Sequence, residues 1–200
     1  MSIIPLPTRR GETRGRPRRP LAENARLGMA LFVFTEVMLF MGFISAFVIV
    51  QSGATNGSWP PPGQPRLPIA RTALNTVALL LSGVALYVAG RKFRSVHPRR
   101  AAVWMGAACA LGAFFVVAQG MEWVALLRQG LTMTSSQLGS FFYLIVGLHG
   151  LHAVVAIVAL GLAWRALLRG RLTDGWLGAV QLFWYFVVLI WPVLYWKVYL

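Results

Sequence analysis

"LGMALFVFTEVMLFMGFISAFVIV", Leu27–Val50, runs for twenty-four residues with a single ionisable side chain, Glu36. A hydrocarbon core about 30 Å thick is crossed by a helix of roughly 20 apolar residues, so this run is long enough to span it. Four more runs of similar character follow: Thr72–Gly90, Ala101–Leu127, Leu138–Trp164 and Trp176–Trp196. Each is continuously apolar, whereas strands of a membrane barrel alternate in segments of about 10 residues. The pattern predicts an all-α fold, a polytopic membrane protein built as a bundle of five transmembrane helices. Composition agrees: 58% of the 200 residues are hydrophobic and 12% charged, where a soluble domain carries about a quarter charged residues.

The charges sort by side. Lys and Arg number seven in the N-terminal arm up to Arg26, five in the loop after the second span and three in Arg165, Arg169 and Arg171, fifteen on one side. The other side holds four: Arg66, Arg71, Arg128 and Lys197. The positive-inside rule then puts the N-terminus in the cytoplasm and the C-terminus outside, as an odd number of spans requires. The net charge of +14 and the run "TRRGETRGRPRR" also fit nucleic-acid binders. Retention of an N-terminus and attraction to anionic headgroups explain the same run, and no nucleic-acid partner is expected. Residues 1–26 read as a flexible basic cytoplasmic arm and 27–200 as the transmembrane domain.

The first loop carries Trp59, Pro60 and Pro61 in "SWPPPGQP"; prolines set a polyproline-like exit and the indole sits at the outer interface. "TMTSSQ" offers hydroxyls to cap the fourth helix. Ala102, Gly106 and Ala110 mark a close-contact face in the third helix, and Pro192 a kink in the fifth. Cys109 stands alone, which rules out an internal disulfide and a cysteine-based metal centre.

Of five acidic residues, Glu36 and Glu122 fall inside predicted spans. A charge at mid-bilayer costs about 2.5–3.5 kcal/mol on insertion scales, so an intramembrane carboxylate is a functional candidate. At 1.5 Å per residue Glu36 lies about 13 Å from the cytoplasmic side, and His149 of "GLHGLH" about 14 Å from it, so the two can meet. His149 and His152, three apart, share a helix face. Glu36, His149 and His152 are therefore read as an intramembrane polar centre, serving either as a structural contact or as a proton carrier. Gln119 and Glu122 form a second polar site nearer the outer end. No third ligand completes a metal triad with the histidines, and no metal is expected.

These landmarks, in order from Thr35 to Trp196, resemble subunit III of the haem-copper terminal oxidases: "TEVMLFMGFISAF", "WPPPG" followed by "LNTVALLLSG", then "QGMEW", "GSFFYLIVGLHGLHAVV" and "WYFVVLIWPVLYW". The chain is similar to the family's five-helix form, which lacks the first two of seven helices. The resemblance implies a non-catalytic subunit of an aerobic, oxygen-reducing and proton-pumping complex, cytochrome c or quinol oxidase. It implies no haem, copper or catalytic residue on this chain, with haem and copper in partner subunits. Subunit I is then the main contact and subunit II a further partner, bound phospholipid is expected, and a respiratory supercomplex is possible. The family's carbodiimide-reactive glutamate maps onto Glu36 and its histidine pair onto His149 and His152. Arg91, Arg94 and Arg165 would meet lipid headgroups at the cytoplasmic face of a prokaryotic plasma membrane. The family's roles in sustained proton uptake, lipid binding and oxygen access follow with the resemblance. One departure stands in the last helix, where Trp184, Tyr185, Phe186, Val187 and Val188 replace the family's Trp-His-Phe-Val-Asp. Loss of that polar pair leaves an accessory subunit of a nitric oxide reductase as an alternative. A proton-coupled transporter relaying through Glu36 is a further one, but it would show inverted repeats or paired broken helices, and apart from Pro192 the sequence has neither.

Overall fold

A computed structural model describes residues 21–53, 69–95 and 97–199. Among them every regular element is helical: α1 (Leu21–Ser52), α2 (Ile69–Arg94), α3 (Pro98–Arg128), α4 (Gln137–Leu168) and α5 (Asp174–Leu194), the last followed by a π-helical turn, Tyr195–Tyr199. All five helices are long and apolar enough to cross a membrane. The chain is thus a multi-pass membrane protein of the predicted class. Trp59, Pro60 and Pro61, and the arm up to residue 20, lie outside the described residues.

The helices outrun the apolar runs at most ends. α1 starts at Leu21 and α4 continues to Leu168, because backbone hydrogen bonding continues through the polar interface where side-chain hydrophobicity has already stopped. Caps fix the boundaries. Pro98 opens α3, where its missing N–H costs nothing. Ser136 Oγ accepts from the Gly139 N–H at 3.0 Å at the start of α4, and Thr173 Oγ1 from the Trp176 N–H at 3.3 Å at the start of α5. Gly130 and Gly170, at φ +89° and +67°, take the left-handed conformation that ends α3 and α4.

α5 is the axis of the bundle. It packs against α1, α2 and α4, while α2 lies along α3 and α3 along α4. Burial follows: 72% of the α5 span is buried, against 17% for α1. Lipid gives no hydrophobic gain for helix association, so contact depends on close approach and on interhelical hydrogen bonds. Both are visible between α5 and α2. Trp184 Nε1 donates to Ser82 Oγ at 3.1 Å and Trp191 Nε1 to Thr76 Oγ1 at 2.8 Å. The hydroxyls in turn donate to carbonyls of their own helix, Ser82 to Leu79 and Thr76 to Thr72. Each chain of donors satisfies a buried indole without spending a free backbone group. Val188, where the resemblance expects an aspartate, packs on Gly83 instead, 3.1 Å from where a Cβ would stand.

At the arginine-rich end, Asp174 binds three helices together. Its carboxylate accepts from Arg26 of α1 and, at 3.1 Å, from Arg94 Nε of α2. These side chains are 40–51% exposed, so each pair is worth at most about 1 kcal/mol. Arg94 also donates to Gln181 Oε1 at 3.1 Å, and Gln181 Nε2 reaches the Leu86 carbonyl at 3.3 Å.

The proposed small-residue face of α3 is only partly used. Trp164 Nε1 donates to the Ala102 carbonyl at 2.9 Å, and its ring lies 3.1 Å from a Cβ built on Gly106. Ala110 is exposed, and the buried face runs through Ala101, Met105, Ala108 and Gly112. A four-residue step overshoots the 3.6-residue turn, so a stripe spaced by four rotates off the contact within two steps. After Pro192 the hydrogen-bond pattern of α5 loosens into the π turn rather than continuing as α-helix, as expected where a backbone N–H is missing.

Gly112 faces the Trp184 ring, whose Cη2 would lie 2.6 Å from an added Cβ, with Ile157 Cδ1 at 2.8 Å. Gly112→Ala is expected to destabilise the purified protein by about 1–3 kcal/mol through overpacking. Gly28→Ala, on an exposed face with nothing within 4 Å, should change stability by less than about 0.5 kcal/mol. Thermal unfolding in detergent, followed by helical circular dichroism, separates the two.

Candidate functional site

The structure brings Glu36 of α1 to His152 of α4. Glu36 Oε2 lies 3.2 Å from His152 Nε2, both side chains being largely buried, 16% and 12% exposed. The oxygen is not aligned for a hydrogen bond from that nitrogen. The other nitrogen, His152 Nδ1, is 2.8 Å from the Leu148 carbonyl one turn earlier. A carbonyl only accepts, so Nδ1 carries a hydrogen there and a neutral ring leaves Nε2 as an acceptor. Two bare acceptors 3.2 Å apart would repel; a proton carried by the acid or by the imidazole would make the approach favourable.

Aromatic rings wall this pair. His152 is edge-on to Phe40, Phe183 and Phe186 at 5.7, 6.2 and 5.8 Å between centroids, and Phe32 lies at 6.5 Å. Both side chains are thereby largely shielded from their surroundings.

His149 is placed differently. It is buried, stacks on Trp191 at 5.0 Å and meets Phe40 edge-on at 6.3 Å. Neither ring nitrogen has a hydrogen-bond partner among the described residues. Within the three-residue polar centre, the contact to Glu36 thus comes from His152, and His149 faces a cavity between α3 and α4.

The second polar site ties the opposite end together. Glu122, 8% exposed, accepts from Thr72 Oγ1 at 2.9 Å and from Asn75 Nδ2 at 3.5 Å. Gln119 Nε2 donates to Tyr199 Oη at 3.0 Å. α2, α3 and the π turn are joined there. Thr72, Asn75, Thr76 and Ser82 are hydrogen-bond partners that the reading of charged residues missed. Their signal was present: Asn75 and Thr76 stand three and four residues after Thr72, and Ser82 seven after Asn75, spacings that keep them on one side of the helix.

Arg91 and Arg165 are exposed at the arginine-rich end, whereas Arg94 is engaged by Asp174 and Gln181. Arg165, Arg169 and Arg171 line a hollow of about 540 Å³ with Trp176. No group of three or more His, Cys, Asp or Glu side chains is gathered as for a metal among the described residues.

Five membrane-spanning helices, with a glutamate–histidine contact between α1 and α4, define the class, an integral multi-pass membrane protein. Comparison with known proteins narrows it. The family described as cytochrome c oxidase subunit III matches residues 8–200. Similar proteins include cytochrome c oxidase subunit 3 of Synechocystis sp., 30% identical over 194 residues, with 95% of this chain and 80% of that protein covered. The protein of the same name from Danio rerio is 31% identical over 198 residues, covering 96% and 75%. That of Tachyglossus aculeatus aculeatus is 30% identical over 198 residues, with the same coverage. The chain belongs to the cytochrome c oxidase subunit III family. It is accordingly a subunit III of a haem-copper oxidase, associated with other subunits of that enzyme.

Glu122→Leu leaves the Thr72 hydroxyl and the Asn75 amide without their acceptor and is expected to cost about 1–3 kcal/mol. Glu122→Gln retains an acceptor and should lose less than half of that. Denaturant titration of the detergent-solubilised protein measures both.

Proposed function

We propose that this chain is the non-catalytic subunit III of an aerobic oxidase in a prokaryotic plasma membrane, seated mainly on subunit I and close to subunit II, with its N-terminus in the cytoplasm. Its work is to stabilise the catalytic subunit and to support sustained proton uptake, with haem and copper held by the partners. The observation that carries the proton role is the 3.2 Å approach of Glu36 Oε2 and His152 Nε2 with Nδ1 already committed to a carbonyl. That arrangement stores one proton at a fixed place inside the membrane and can exchange it without moving a helix. The hollow of Arg165, Arg169 and Arg171 supports the phospholipid part of the reading, since three guanidiniums without an acid among the lining residues suit an anionic headgroup.

Glu36→Ala and His152→Leu are expected to leave the complex assembled, with initial turnover within about twofold of the parent, a change below what one lost hydrogen bond brings. Both should shorten the time course over which the purified oxidase inactivates during turnover. Unchanged inactivation kinetics in both variants would remove the proton role while leaving family membership untouched.

A further inference from the structure

A cavity of about 360 Å³ lies between α3 and α4, apart from the Glu36–His152 contact. Three buried or half-buried polar side chains line it with atoms that have no partner among the described residues: Gln119 Oε1, Trp123 Nε1 and both ring nitrogens of His149. Gln119 and Trp123 stand four apart on α3 and so share one face; His149 reaches the cavity from α4. Gln119 has already given its amide hydrogen to Tyr199, and its carbonyl oxygen is left to accept. An indole N–H can only donate, and a neutral imidazole offers one donor and one acceptor. The cavity therefore presents both kinds of group to whatever fills it.

The rest of the wall is apolar, with Phe115 at the back and the exposed Leu151 and Val154 at the mouth, where it meets lipid. At roughly 30 Å³ each, more than ten waters would be needed to fill the volume, and four polar atoms can hold only a few of them. A wholly apolar chain would fill the volume but leave those atoms unpaired. His149 lies about 18 Å along α4 from the end opposite the arginines, a depth at which a charged head is costly.

We propose that this cavity binds an uncharged membrane amphiphile, its apolar body against Phe115, Leu151 and Val154 and its hydroxyl head on Gln119, Trp123 and His149. A neutral glycerolipid alcohol and an isoprenoid quinol both carry such a hydroxyl. A hydroxyl there donates to one orphaned acceptor, accepts from the orphaned N–H groups and bridges α3 to α4 at a level where few direct polar contacts join them.

The test uses the assembled oxidase in phospholipid vesicles and two light-activated probes, a diazirine-tailed diacylglycerol and an azido isoprenoid quinol. Diazirine-tailed phosphatidylglycerol at the same molar fraction is the reference. Mapping of labelled peptides should find residues 115–124 and 146–154 favoured by one neutral probe over the reference, and the probe that labels names the source. At Gly147 an added Cβ meets nothing nearer than Trp123 Cη2 at 3.9 Å, so Gly147→Leu fills the cavity without a backbone clash. Gln119→Leu removes one acceptor. Gln119→Leu should lower the labelling about fivefold, the occupancy change that one lost hydrogen bond brings, and Gly147→Leu at least as much by occupying the volume. Should Gly147→Leu fail to assemble, Gln119→Leu decides. Equal labelling by the phospholipid probe, labelling insensitive to the substitutions, or no label at these peptides while α1 is labelled would each overturn the proposal.

Discussion

Hydrocarbon offers no hydrogen bonds, and that constraint organises this protein. Every polar atom inside the five spans must find its partner within the chain, in a neighbouring subunit or in a bound molecule. Trp184 and Trp191 meet it through Ser82 and Thr76 and Glu122 through Thr72 and Asn75, while Glu36 closely approaches His152. These contacts hold particular helices at particular rotations, which apolar packing alone specifies poorly. α5 becomes the central helix because its indoles are anchored to α2 while its other face carries the aromatic rings around His152.

The five spans were legible because each is an unbroken apolar run, and bilayer thickness sets its length. Their ends were less so: a helix such as α1 begins at Leu21, inside what reads as a polar arm, because hydrogen bonding outlasts hydrophobicity. Glu36 announced itself as a lone acid in an apolar run, and depth arithmetic brought it level with the histidines of α4. Depth could not choose between His149 and His152, which differ by less than a turn and point in directions that depend on how α4 is rotated. The α2 residues escaped for a chemical reason. Thr and Ser hydroxyls can satisfy themselves on their own backbone, so their presence in a span carries no charge penalty to draw notice. The departure from the family pattern at Val188 is explained by packing, since the small Gly83 opposite it accepts an aliphatic side chain closely.

Polar groups are graded by exposure along the bundle axis. At the arginine-rich end, Asp174 joins α1, α2 and α5 through half-exposed ion pairs that salt screens. Farther in, Glu36 and His152 make a single largely buried pair surrounded by phenylalanines. At the opposite end Glu122, Gln119 and Tyr199 form a buried network of uncharged donors around one carboxyl group. Among the described residues the exposed ion pairs lie at that surface, and the interior depends on directional hydrogen bonds.

α1 is made first, and its chief neighbour α5 last. Glu36 enters the bilayer before the ribosome has reached His152; at the usual 5–20 residues per second the gap is on the order of ten seconds. Throughout that interval the span has no imidazole across from it and must stay inserted by its own greasiness. The uninterrupted stretch from Leu27 to Val50 outweighs the insertion cost of one acid. Its length therefore answers to the timetable of synthesis as well as to the thickness of the membrane.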